Sequence, residues 1–242
     1  MQSSSTWQPD GDRSLEPGES VCTVNIRDES MRVVLTYDDG PEPAGTEQVL
    51  AGLGRAGASA TFFVLATRIR LFRSLLLETV DAGHEIALHG LDHQNLASMD
   101  PSVAQERTRI AKVELEQAIQ QPVVWFRPPY GAQTPATWLA VRSLGLMPVL
   151  WSAMLRDWQF ITDEERLAGA MATTVSGEIL LAHDGFACEL DGVDDGPPPP
   201  IDRGRLTNLL LDRYGEMGFT ACSLGDAMTV GTAVTPVRLD AP

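Results

Sequence analysis

RVVLTYDDGPEPAGTEQVLAGLGRAG (32–57) decides the fold. Its opening run RVVLTY (32–37) is apolar and β-branched, the pattern of a buried strand. DDGP (38–41) is turn sequence. TEQVLAGLGRAG (46–57) spaces its apolar residues as a helix does and stops on Gly57. ATFFVL (60–65) is a second buried strand. Strand, crossover helix and strand in this order make a right-handed parallel unit. The rhythm continues outward. Strands are predicted at HEIALH (84–89), PVVWF (122–126), MPVLWS (147–152), EILLAH (178–183) and FTACSL (219–224). Helices are predicted at 69–82, 101–120, 134–145, 162–175 and 203–218, and a short strand at VCTVNI (21–26). About seven or eight such units predict an α/β fold, a closed or nearly closed parallel barrel in a single domain over 21–242. A doubly wound open sheet is the alternative. No GxGxxG follows the first strand, which counts against a dinucleotide fold.

The chain has 242 residues, 43% hydrophobic and 21% charged, with a formal charge of -15. This is globular composition. Its charge repels phosphate backbones and anionic lipid, so nucleic acid and membrane are excluded as partners. No apolar run reaches the ~18–20 residues of a membrane helix. Cys22, Cys188 and Cys222 are widely spaced with no CxxC pair, so a thiolate zinc site is not expected. Residues 1–20 are polar and read as a flexible tail. They lack a basic start and an apolar stretch, which places the protein in the cytoplasm. GFACELDGVDDGPPPPID (185–202) interrupts the rhythm with acid and proline. It reads either as a solvated insert or as a lid that selects substrate.

The unusual polar residues follow predicted strands: Asp38 and Asp39, His89 and His93, Arg127, Asp157, and His183. In a parallel barrel all of them gather at the carboxyl end, where barrel active sites form. His89 and His93 are at i and i+4. In a helix or a helix-like turn both imidazoles can reach one metal. Asp39 adds a carboxylate and leaves coordination positions open, the ligand set of a catalytic divalent ion. Zn2+ is the default; Co2+, Ni2+ and Mn2+ also suit it. Successive residues at a strand end point apart, so Asp38 remains available as a base. His183, ending an apolar strand, is either a core histidine or a general acid. His84, at the amino end of its strand, reads as structural.

Five segments carry a resemblance. TYDDGP (36–41), GHEIALHGLDHQNL (83–96), FRPPYG (126–131), WSAMLRDW (151–158) and LAH (181–183) occur in order. Together the chain from about Val33 to Met228 resembles the polysaccharide deacetylase family, the NodB-homology domain of carbohydrate esterase family four. The resemblance implies a distorted (β/α)7 barrel. It implies metal-dependent hydrolysis of an N-acetylated amino sugar to acetate and free amine. By the same resemblance Asp39, His89 and His93 hold the metal, Asp38 is the catalytic base and Arg127 orients it. His183 is the general acid and Asp157 tunes it. The Tyr130 N–H helps hold the oxyanion, Trp158 walls the groove, and Leu181 contacts the acetyl methyl. Two positions depart from the pattern. Gly90 stands where Ser or Thr is usual, losing a hydroxyl that could brace the metal loop. Met154 stands where the fourth motif has Asp. The expected substrate is a small intracellular conjugate. A polymer such as chitin or peptidoglycan outside the cell, or another C–N bond (cyclic amide, ureide or formamide), remains the alternative.

Overall fold

The computed structural model describes residues 16–27 and 29–236. Ten strands are described: β1 (Thr23–Ile26), β2 (Arg32–Asp38), β3 (Thr61–Leu65), β4 (Glu85–Gly90), β5 (Trp125–Phe126), β6 (Met147–Pro148), β7 (Ala153–Met154), β8 (Ile179–His183), β9 (Thr220–Cys222) and β10 (Gly231–Val234). Between them run α1 (Gly45–Ala56), α2 (Ala66–Leu71), α3 (Arg73–Asp81), α4 (Pro101–Ile119), α5 (Pro135–Arg142), α6 (Asp163–Ala170), α7 (Arg203–Glu216) and α8 (Leu224–Val230). The parallel sheet runs β6-β5-β4-β3-β2-β8-β7, and β9 pairs the first half of β2. β6 and β7 are not paired with each other, so the barrel is distorted, with its seam there. Val21 bridges Val149 beside that seam.

The two-residue period of the strands sorts side chains into two layers. Val33, Leu35, Tyr37, Phe62, Leu88, Phe126 and Leu180 pack outward under the helices. Val34, Phe63, Ala87, Trp125 and Ile179 pack inside the barrel. Burying a side chain of the size of Phe63 contributes about 1.5–3 kcal/mol. The inward parity carried to the strand ends falls on Asp38, His89, Arg127 and His183. The core pattern therefore aims the chemistry-bearing residues at the barrel mouth.

Several elements differ from the sequence expectation. The helix expected over 69–82 is two helices, α2 and α3, broken at Phe72, whose φ of -129° is not helical. The strand expected over 147–152 shortens to β6 (Met147–Pro148), and a further short strand, β7 (Ala153–Met154), follows it on the other side of the seam. The strand expected over 122–126 shortens to Trp125–Phe126. The chain end folds back through α8 into β10, which pairs antiparallel with β1. Residues 1–15 of the expected tail lie outside the described residues, but Glu19 and Ser20 are buried. The Trp138 indole donates to the Glu19 carbonyl at 2.8 Å and Gln133 donates to Ser20 Oγ at 2.7 Å, so these residues pack beside α5. None of the described helices is long and apolar enough to cross a membrane.

Candidate active site

A pocket of about 310 Å3 opens at the carboxyl end of the barrel. Asp38, Asp39, His89, His93, Tyr130, Trp158, Leu181 and His183 all line it, as do Trp151, Phe186, Ala187 and Asp195. Of the other residues singled out in the sequence, Arg127 and Asp157 lie behind this lining and hold Asp38 and His183. Met154 is half-buried in β7 and is not part of the lining.

Arg127 is completely buried. It donates to Asp38 Oδ1 and Thr36 Oγ1, both at 2.7 Å, and to the Val149 and Leu150 carbonyls. Its guanidinium lies over the Phe63 ring, 4.1 Å from the centroid. These contacts hold the Asp38 carboxyl in fixed orientation against a cation.

Asp39 follows with a φ of 73°, a left-handed conformation that Asp tolerates and that is enriched at functional turns. The turn needs close approach on its far side. A Cβ on Gly40 would meet Asp184 Oδ2 at 2.0 Å, so glycine is required there. Asp184 is buried and accepts from Thr46 Oγ1 at 2.5 Å. Burial pushes its carboxyl up to about 7. It is a prop behind the turn.

The Nδ1 hydrogen bond of His89 fixes its role. Its Nδ1 donates to the Arg127 carbonyl at 2.8 Å, which leaves Nε2 as the ligand atom. Asp39 Oδ1 lies 3.4 Å from Nε2 of His89 and 3.4 Å from Nε2 of His93. All three ligand atoms fall within 4.8 Å of one another, and Asp39 Oδ1 is buried without a hydrogen-bond partner. An orphaned buried carboxylate oxygen facing two imidazole nitrogens is costly unless a cation satisfies it. The residues fit a divalent metal. Burial pushes the His93 imidazole down, which favours the neutral, ligating form. The helix-like turn expected for the pair is not what joins them. His89 ends β4 on its inward face and His93 sits in the turn after it.

The hydroxyl lost at Gly90 leaves no gap in the support of this turn. Gly90 has a φ of 139°, where a side chain is strained. The brace comes from the 185–202 segment: the His93 N–H donates to the Asp191 carbonyl at 2.9 Å. Asp191 is fully buried. Its carboxylate receives three hydrogen bonds from Arg68, one from Thr67 and one from the Cys188 N–H, and Arg68 also binds the Phe186 carbonyl and Glu42. The expectation of a solvated insert is therefore corrected. An ion pair ties the segment to α2, and it forms one wall of the pocket.

Across the pocket, His183 Nδ1 is 2.7 Å from Asp157 Oδ1, and the His183 backbone N–H donates to Asp157 Oδ2 at 2.7 Å. Burial pushes this imidazole down, but the charge and hydrogen bond of Asp157 outweigh it, with Asp39 and Asp38 adding to them. The net effect raises His183 to about 9. Nε2 remains as the free ring nitrogen. The Trp158 ring stands edge-on to His183 at 5.4 Å. The Tyr130 ring packs on His93 at 4.4 Å, and its hydroxyl donates to Asp195 Oδ2 at 2.7 Å. Nothing in the sequence singles out Asp191 or Asp195: Glu189, Asp191, Asp194 and Asp195 follow one another without a period.

The arrangement supplies a metal triad, an oriented carboxylate on one side and a charged imidazole on the other. The model of the family described as polysaccharide deacetylase matches residues 26–149. The peptidoglycan-N-acetylglucosamine deacetylase of Bacillus cereus is 31% identical over 175 residues, 72% of this chain and 81% of the relative. The chitooligosaccharide deacetylase of a Bradyrhizobium strain is 33% identical over 155 residues, 64% and 71% of the two chains. A family 4 carbohydrate esterase from Streptomyces lividans, solved with acetate, superposes with a TM-score of 0.71 at 23% identity, covering 85% of this chain and 98% of that one. The chain belongs to the polysaccharide deacetylase family.

Proposed function

We propose that the protein is a metal-dependent N-deacetylase acting on a small N-acetylated amino sugar or sugar conjugate inside the cell. The observation that carries this reading is the buried, unpartnered Asp39 Oδ1 between His89 and His93, with Asp38 and His183 lining the same pocket. Asp39, His89 and His93 would hold the ion, with Zn2+ first among the divalent metals that suit this donor set. Bound there, such an ion supplies Lewis acidity, polarising the amide carbonyl and acidifying water.

The chain's own groups do the rest. Asp38, fixed by Arg127, takes the proton of the attacking water. Tyr130 lines the pocket, and the family resemblance assigns its N–H to the developing oxyanion. His183, kept protonated by Asp157, gives its proton to the leaving nitrogen. Leu181 offers apolar surface to the acetyl methyl, and Trp151 and Trp158 offer flat faces to the sugar ring. Water adds across the amide: hydroxyl goes to the acyl carbon, one proton to the amine, and acetate leaves. A volume of about 310 Å3 is at the small end of ligand pockets, which favours a short substrate.

The test is acetate release by the zinc-loaded protein, with Asp38→Asn as the blank. The substrates are chitin oligomers, a peptidoglycan fragment and small N-acetylhexosamine conjugates. Release from a small conjugate alone supports the full reading. Release from the polymers overturns the small-substrate part. No acetate from any of them, with metal bound, overturns deacetylation and leaves hydrolysis of another C–N bond.

A further inference from the structure

β3 lies between β2 and β4 in the sheet, and the ends of those two neighbours deliver Asp38, Asp39, His89 and His93. Among the described residues none from β3 or α2 lines the pocket. The junction of these two elements holds the ligand turns instead. The Leu65 N–H donates to the Gly40 carbonyl and the Thr67 N–H to the Leu91 carbonyl, both at 3.1 Å. Gly40 follows Asp39, and Leu91 lies between His89 and His93.

Arg68 extends this hold through its side chain, which is 3% exposed. It grips three segments at once. Nη1 donates to Glu42 Oε1 at 3.0 Å, three residues beyond Asp39. Nε and Nη2 donate to the Asp191 carboxylate at 3.0 and 2.6 Å, and the Asp191 carbonyl accepts from the His93 N–H at 2.9 Å. Nη2 also donates to the Phe186 carbonyl at 2.8 Å, and Phe186 lines the pocket. A planar guanidinium keeps such partners in a fixed relation, which a point-like ammonium cannot do. His89 does not depend on this grip, because β4 and the Arg127 carbonyl fix its ring. Asp39 and His93 sit in turns, and a metal site needs its ligands held to within about half an ångström.

We propose that Arg68 is a positioning residue: it sets Asp39 and His93 at the separation a divalent ion needs, and through the Phe186 carbonyl it sets the wall that meets substrate. It touches neither ion nor substrate. The metal part rests on the fit of the triad, and the wall part on the N-deacetylase reading.

The experiment reads zinc affinity by chelator competition on the full chain. The proteins are wild type, Arg68→Gln, Arg68→Lys, Asp191→Asn and Leu210→Ala, each at a temperature where circular dichroism shows it folded. Arg68→Gln is expected to weaken zinc binding about tenfold or more, the range for groups that orient metal ligands. Asp191→Asn removes no atom that touches His93, yet it should weaken binding in the same direction, because the segment loses the charge that docks it. Arg68→Lys keeps the charge but not the fork, and should fall between wild type and Arg68→Gln. Leu210→Ala costs stability through lost packing in the outer layer and should leave zinc affinity unchanged. With zinc saturating, Arg68→Gln should raise KM for acetate release more than it lowers kcat, because the Asp38–Arg127 and His183–Asp157 pairs are intact. Wild-type zinc affinity in both Arg68→Gln and Asp191→Asn overturns the proposal. So does an equal loss in Leu210→Ala, which would trace the effect to global stability. If Arg68→Gln fails to fold, wild-type affinity in Asp191→Asn and Arg68→Lys overturns it. An unchanged KM overturns the wall part. Acetate release from no substrate, with zinc held by the wild type, sinks the deacetylase reading and leaves the zinc comparison standing.

Discussion

The two ends of the barrel both bury carboxylates, and they treat them in opposite ways. At the amino end Glu178 is buried and accepts from the Tyr214 hydroxyl at 2.8 Å. Partly buried Glu85 accepts from the Thr61 hydroxyl, the Trp125 indole and the Gly225 N–H. Every one of these donors is neutral, and burial raises both carboxyls. At the mouth Asp38 faces a guanidinium, and Asp39 and Asp157 face imidazoles. Burial pushes Asp39 and Asp157 up too, but the imidazoles outweigh it and hold both below the usual carboxylate range. Location is not the criterion. Asp184 lies at the mouth, accepts from the neutral Thr46 hydroxyl, and is raised. A buried carboxylate with neutral donors braces the fold. One with a cationic partner does either: facing the pocket, as Asp39 does, it is ready for a metal, and away from the pocket, as Asp191 beside Arg68, it braces.

The largest effect expected from breaking this pattern is at Arg127. Arg127→Met leaves Asp38 buried without its cationic partner, which costs about 3–5 kcal/mol of stability. The Val149 and Leu150 carbonyls lose their donor as well. Denaturant unfolding should show the loss and turnover should fall to background. A variant of near wild-type stability would show that the neighbouring carbonyls and Thr36 do not depend on the cation.

Next come the base and the metal triad, which should separate cleanly. Asp38→Asn keeps the metal triad and removes the base. It should bind zinc normally and lose about a hundred- to ten-thousandfold in kcat. His93→Ala removes a ligand and should lose zinc in a chelator competition. Retained turnover in Asp38→Asn would assign the base elsewhere.

The third effect is a shift along the pH axis. His183 must be protonated to act as an acid, so activity falls as pH rises through its pKa. That value lies at about 9 in the protein alone, and a cation at Asp39 opposes the carboxylates and lowers it. Asp157→Asn removes the group that does most to hold the imidazole charged, leaving burial to push it down. The alkaline limb of kcat/KM should move to lower pH, with a loss of about tenfold or more at pH 8. A limb that stays in place would remove His183 from the acid role.

How much of this was legible in the sequence follows the same physics. The strand–turn–helix rhythm and the strand-end residues are local signals, and the two-residue period carries them inward together. The strands at and beside the seam, β5, β6 and β7, are two residues each because only a few of their residues pair, and composition does not reveal that. The break at Phe72 lies inside an otherwise helical pattern. His89 and His93 reach one point because a strand end and its turn converge, a result their i, i+4 spacing also fits for a different reason. The 185–202 segment is fixed by Arg68, more than a hundred residues away in sequence. A nonlocal ion pair leaves no period in an acidic, proline-rich stretch, so Asp191 and Asp195 emerge only from the packing.

The smallest effect is expected at the amino end, and it tests the comparison most directly. Glu178 has a raised pKa, so its ionised form is less stable folded than unfolded. Its contribution is therefore complete below the unfolded value near 4.3 and declines as pH rises through the folded one. Glu178→Gln keeps an oxygen to accept from Tyr214 and carries no charge to desolvate. Relative to wild type it should gain ground as pH rises, lying within about 1 kcal/mol of wild type at pH 7 and losing most at about pH 4. Melting curves at the two pH values read this directly, and acetate release should change less than about twofold. If instead Glu178→Gln abolished turnover while melting normally, a carboxylate held by neutral donors would be serving the chemistry. Neutral donors would then no longer mark a buried carboxylate as one that only braces.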